Sequence, residues 1–103
     1  MQTEQRDDGV RVALSGELDL ATASSVEEQL VELDGTDSPS RLVLDIRGLS
    51  FIDSTGLSLL INADNRARKA GRRVTIVSGN GAPRRILATT GLLARLDVVE
   101  DSP

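Results

Sequence analysis

The stretch Leu49-Ser50-Phe51-Ile52-Asp53-Ser54-Thr55-Gly56-Leu57-Ser58 leaves this chain little choice at its centre. An apolar, strand-like segment ends in Asp53. Two hydroxyls and a glycine follow, and a helical pattern begins at once. Ser54 is therefore placed at a helix N-terminus, and from spacing alone it reads as the helix cap. Asp53 alone reads as a turn residue whose carboxylate accepts a backbone N–H. Free N–H groups and the positive end of the helix dipole gather at such a point, which makes it a seat for an anion. A phosphoryl group on Ser54 would change the local charge by roughly −1.5 to −2 without unfolding anything. That is the chemistry of a switch. The grouping of Asp53, Ser54, Thr55 and Gly56 raises this reading above a plain cap, with Gly56 expected to leave the approach to Ser54 open.

Around this junction the chain alternates strand and helix patterns. Val10, Val12 and Leu14 alternate with Arg11, Ala13 and Ser15, as in a half-buried strand; Gly16 breaks the pattern and a second extended piece follows over 17–20. Thr22 or Ser24 can cap a helix, with Glu27 completing a capping box, and Val26, Leu30 and Leu33 mark its apolar face. Residues 34–40 are a loop by composition. Leu42-Val43-Leu44-Asp45-Ile46 reads as a central strand that Gly48 ends. The helix after Ser54 is predicted to run to about Ala70 on an apolar face of Leu57, Leu60 and Ile61, with Ala63 and Ala67 allowing close packing. Arg66, Arg68 and Lys69 fall in its last turn and Gly71 at its end. Residues 73–77 read as a strand, Pro83 opens a short helix through Thr90 that Gly91 stops, and 96–99 form a last strand. The order predicts an α/β fold with a mixed sheet, because the chain opens on a hairpin-like pair. With 103 residues, one domain spanning 1–103 is expected. Right-handed crossovers would set the segment before Ser54 at the C-terminal edge of the sheet.

Absences narrow the chemistry. The chain has no histidine and no cysteine, which removes Ser-His-Asp and Cys-His catalysis, disulfides and the usual zinc sites. No metal and no cofactor are expected, and no catalytic residue. Lys69 stands 15 residues along the helix from Ser54, about 22 Å away, so the two form no Ser-Lys dyad. Asp-Ser-Thr-Gly is misspelled for the Asp-Thr-Gly of aspartic proteases, and the helical surroundings contradict that fold. Phe51 is the one aromatic residue, so a base-stacking surface is lacking. Arg66, Arg68, Lys69, Arg72, Arg73, Arg84 and Arg85 accompany no nucleic-acid-binding motif and read as a solvated helix end. No run approaches the 18 or so apolar residues a membrane span needs, and the polar start carries no signal peptide, so the cytoplasm is the expected location. Charge is uneven: residues 1–52 carry 4 basic and 11 acidic side chains, residues 53–103 carry 8 and 5. This is either scattered surface charge or a dipolar surface that orients a protein partner.

Gly16-Glu17-Leu18-Asp19 with Thr22-Ala23, Leu42-Val43-Leu44-Asp45, Phe51-Ile52-Asp53-Ser54-Thr55-Gly56-Leu57, and Arg85-Ile86-Leu87 with Thr90-Gly91-Leu92 together resemble the STAS domain family, and within it the bacterial anti-sigma factor antagonists. The resemblance implies a mixed sheet of four or five strands with helices mainly on one face. It implies that the unmodified protein binds an anti-sigma factor with serine kinase activity and so releases a sigma factor. It further implies that phosphorylation of Ser54 by that kinase switches binding off and that a phosphatase restores it. The implied partner-binding residues are Asp19, Thr22, Asp53, Ser54, Thr55, Gly56 and Leu57; nucleic acid and membrane are not among the implied partners. The same fold also serves as an accessory subunit of lipid-transport systems or as a stress-sensing scaffold, the alternative reading. Two departures stand out. Ser58 occupies a position where many members have glycine. The sequence ends at Asp101-Ser102-Pro103, so the closing amphipathic helix of many members is expected to be missing or cut short.

Overall fold

The structure is a computed structural model that describes residues 1–6, 9–34 and 40–101. Its elements are β1 (Gln2–Arg6), β2 (Gly9–Leu18), α1 (Ala23–Asp34), β3 (Arg41–Ile52), α2 (Ser54–Lys69), β4 (Arg73–Val77), α3 (Ala82–Thr89), α4 (Leu92–Arg95) and β5 (Val98–Val99). The strands form one sheet in the order β1-β2-β3-β4-β5. β1 is antiparallel to β2 and every other neighbour is parallel. The sheet is therefore mixed, as predicted, but the opening pair differs. The polar N-terminal segment is itself the first strand, and residues 9–18 are one strand, not two.

All five residues of β1 are exposed, and the mixture of charge and polarity suits a sheet edge. β2 passes through Gly16 with two shifts of register, one on each side, and Gly16 takes φ 83°. A glycine can absorb that geometry without a break. β3 likewise continues past Gly48 to Ile52. It pairs with β4 only from Arg41 to Asp45, whereas it follows β2 as far as Ile52. The end of β3 thus has β2 as its strand neighbour.

In-sequence strand order with crossovers of one hand puts the helices on one face. Val10, Val12, Leu14, Leu42, Leu44, Ile46, Val74 and Ile76 meet Leu30, Leu59, Leu60, Ala63 and Leu87 there in a single core. Leu60, Ala63 and Ala67 of α2 are buried, as predicted, but Leu59 joins them, and Leu57 and Ile61 are only half-buried at the margin, so the buried face is turned somewhat from the predicted one. The termini of α2 and α3 follow the expected chemistry: Gly71 takes φ 72°, Pro83 lies in the first turn of α3, and Gly91 takes φ 81°. The predicted loop at 35–39 falls outside the described residues.

The opposite face of the sheet is closed by charged side chains. Asp45, buried, accepts from Arg47 Nε and Nη2 at 3.0 and 2.9 Å and from Arg11 Nη2 at 2.6 Å. Thr75, one strand over, donates to Asp97 at 2.8 Å. The aliphatic stems of the arginines cover what helices cover on the other side. The Arg47 side-chain hydrogen bond, then its backbone N–H and the nearby Arg11, hold the Asp45 carboxyl below its usual range, although burial pushes the other way.

Candidate functional site

The C-terminal ends of β2 and β3 lie side by side, with Leu18 paired to Ile52. The turn after β2 and the start of α2 are thereby neighbours. Asp19 organises the turn. Its Oδ1 accepts the N–H groups of Ala21 and Thr22 at 3.0 and 3.1 Å, an Asx turn that also launches α1. Thr22 folds back into the turn, accepting from Asp19 N–H at 3.0 Å and donating to Glu17 O at 2.9 Å. Glu27 does not close a box at the start of α1; it reaches Arg66 on α2.

Asp53, not Ser54, is the cap of α2. Its φ and ψ, −99° and −174°, are extended, and its Oδ1 accepts Gly56 N–H at 3.0 Å. Its other oxygen crosses to the turn and accepts Leu20 N–H at 3.1 Å. Its own N–H donates to Leu18 O at 3.2 Å. One residue thus ties the helix start, the end of β2 and the turn together. With the carboxylate so engaged, Ser54 becomes the first helical residue, and its side chain is exposed. The geometry of a first helical turn leaves the Ser54 and Thr55 N–H groups without an acceptor inside the helix.

The remaining residues of the expected set divide. Thr55 is half-buried and, with Ser24, Glu27 and Ser58, lines a groove of about 300 Å³ between α1 and α2. Leu57 is half-buried against the core. Gly56 is buried, and its lack of a side chain serves the fold: a Cβ there would stand 2.4 Å from Leu18 O and 2.9 Å from Ile52 Cγ2. The glycine lets α2 start flush against the sheet, so it does not act by keeping the approach to Ser54 open. Two residues absent from the expected set stand at this end of the molecule. Leu20 is 77% exposed and Phe51 is 50% exposed. Strand alternation does not mark Phe51, because Ser50 and Phe51 are both exposed between buried Leu49 and Ile52, and nothing local marks Leu20.

Charge follows the axis of α2. Glu17, Asp19 and Asp53 surround its start, and Arg66, Arg68 and Lys69 its end. Some of the basic end is neutralised, Arg66 by Glu27 and Arg68 by Asp64 at 2.8 Å. Among the described residues, no helix is long and apolar enough to cross a membrane.

Known proteins are similar to this chain in sequence and in fold. The anti-sigma-F factor antagonist RsfB of Mycobacterium tuberculosis is 34% identical over 87 residues, covering 82% of this chain and 68% of that one. The crystal structure of an anti-sigma factor antagonist from Mycobacterium paratuberculosis superposes with a TM-score of 0.86 at 29% identity, over 97% of this chain and 84% of that one. SpoIIAA, an anti-sigma factor antagonist solved in its unphosphorylated form, shares the fold with a TM-score of 0.77 at 18% identity, over 98% of this chain and 88% of that one. The sequence profile of the STAS domain matches residues 1–102, from one end of the sheet to the other, and with that match this chain belongs to the STAS domain family.

Proposed function

We propose that this protein is an anti-sigma factor antagonist, a single regulatory domain of the cytoplasm switched at Ser54. The observation that carries the reading is the division of labour at the start of α2. Asp53 takes over capping and leaves the Ser54 hydroxyl exposed, beside N–H groups that a phosphate can use. The names of relatives at up to 34% identity point to the same role.

The acceptor needs no catalytic groups of its own. An anti-sigma factor with serine kinase activity would bring nucleotide and metal to it. The Ser54 oxygen would bond to the γ-phosphorus of ATP as the bond to the β-phosphate oxygen breaks, with ADP leaving and the hydroxyl proton passing to the kinase. The product is a dianion in the middle of the contact, facing the phosphates of ADP. Like charge or unpaired burial at that place costs several kcal/mol and lowers affinity by orders of magnitude. A phosphatase removing the group restores binding. Asp19, Thr22, Asp53, Thr55 and Leu57 are the neighbours that shape this surface, and Gly56 acts on it through the fold.

The test is direct. Incubation with the kinase and ATP should add one phosphoryl group to the wild type and none to Ser54→Ala, read by intact mass. Peptide mapping that puts the group at another residue overturns the assignment.

A further inference from the structure

We infer that Leu20 and Phe51 are the apolar anchors of the docking surface around Ser54, and that they fit a protein partner presenting an apolar recess rimmed by lysine or arginine. The inference rests on the proposed antagonist reading and adds to it the side chains that provide affinity.

Four large apolar residues are exposed among the described residues: Met1, Leu20, Val31 and Phe51. Leu20 and Phe51 flank the β3–α2 junction that carries Ser54, whereas Met1 sits in a groove beside Glu17, Ala21 and Thr22. Leu20 is the most exposed, in a turn where flexibility would make an apolar side chain a poor ligand. Its backbone is nevertheless fixed, because its N–H is held by Asp53 Oδ2 and the preceding Asp19 carboxylate braces the turn. A backbone already held in place loses no freedom of its own on binding, which leaves only the side-chain rotamers to be ordered. Phe51 is the chain's one aromatic residue, and it lies near the end of β3, paired with Glu17 of β2, with its ring half in solvent. Aromatic side chains are enriched at the centres of protein interfaces, where they bury a large area.

The rim has one sign. Glu17 is the cross-strand partner of Phe51, Asp19 precedes Leu20, and Asp53 bridges the two segments. None of these three carboxylates is paired with a cation among the described residues. Charges of this kind steer approach and set orientation, and the apolar centre supplies the strength. The acidic rim meets the partner's cations, while Ser54 itself faces the partner's nucleotide. Attraction at the rim and repulsion of a phosphorylated centre are therefore compatible.

The experiment uses purified anti-sigma factors with serine kinase sequences from the same genome, loaded with ADP and magnesium, and unphosphorylated antagonist. Leu20→Ala should weaken binding about tenfold or more, as for an interface anchor. Phe51→Ala should do the same and Phe51→Leu should recover part of the loss. Denaturation curves for Leu20→Ala should match the wild type. Glu17→Gln should slow association, and added salt should slow association of the wild type. Wild-type binding with unchanged affinity in both alanine variants overturns the anchor assignment and leaves the antagonist reading standing. Wild type that binds none of these factors overturns the antagonist reading and the anchors with it.

Discussion

Asp53 Oδ2 accepts the backbone N–H of Leu20 at 3.1 Å, a link across 33 positions of sequence. The same carboxylate caps α2 through Gly56 at 3.0 Å. Asp53→Ala removes both bonds and should cost about 1–2 kcal/mol in urea denaturation, the range for a lost helix cap. It should also speed hydrogen exchange at the Leu20 amide. Asp53→Asn keeps one acceptor but turns an NH₂ toward the other N–H, so it should fall between wild type and alanine.

Gly56→Ala tests how closely α2 approaches the sheet. The added methyl carbon would meet Leu18 O and Ile52 Cγ2 at 2.4 and 2.9 Å. Alanine is the better helix former by about 1 kcal/mol, yet overpacking of this kind costs about 1–3 kcal/mol, so the variant should be less stable overall. Thermal unfolding measures the sign. A variant as stable as the wild type would show that α2 can slide outward freely.

Ser54→Asp separates folding from recognition. A carboxylate in the first turn of α2 favours the helix by about 0.3–1 kcal/mol, partly offset by Asp53 beside it. Stability should change little. Affinity for the anti-sigma factor should fall at least about tenfold, measured by calorimetry.

Asp45 makes acid stability testable. Its folded-state pKa is depressed, chiefly by the side-chain hydrogen bond from Arg47. Such a group stabilises the fold above its unfolded value, about 3.9, and loses that contribution as pH falls toward the folded value. Asp45→Asn should therefore be about 2 kcal/mol less stable than wild type at pH 7. The gap should narrow at pH 3, as read by urea denaturation. A gap that stays constant would assign the effect to shape, not charge.

What could be read from the sequence was what is decided locally. The alternation of Val10, Val12 and Leu14, the basic last turn of α2, Gly71 and the Pro83–Gly91 bracket each depend on neighbours a few positions away. What escaped depends on distant partners. β1 has no buried face of its own and becomes a strand only because β2 offers an edge. Gly16 and Gly48 read as breaks because a shift of register is invisible without the paired strand. Leu59 shares a stripe with Ala63 and Ala67, and only the position of the sheet decides that this stripe is buried deeper than Leu57 and Ile61. The junction of β3 and α2 falls where the sequence sets it, after Ile52, but its parts were assigned differently. The cap passed from Ser54 to Asp53 because the carboxylate can serve the helix and the Leu20 turn at once, and no spacing rule within one helix contains that second bond. The exposure of Leu20 and Phe51 is likewise set by what the tertiary structure leaves uncovered.

The uneven length of the two central strands has a thermodynamic corollary. Beyond Asp45, β3 continues without β4 beside it, so the rim that carries Ser54 is tethered by fewer cross-links than the opposite rim. Such a rim opens at lower free energy than the interior. Gentle warming or dilute denaturant should therefore abolish recognition of the anti-sigma factor while circular dichroism still reports an intact molecule.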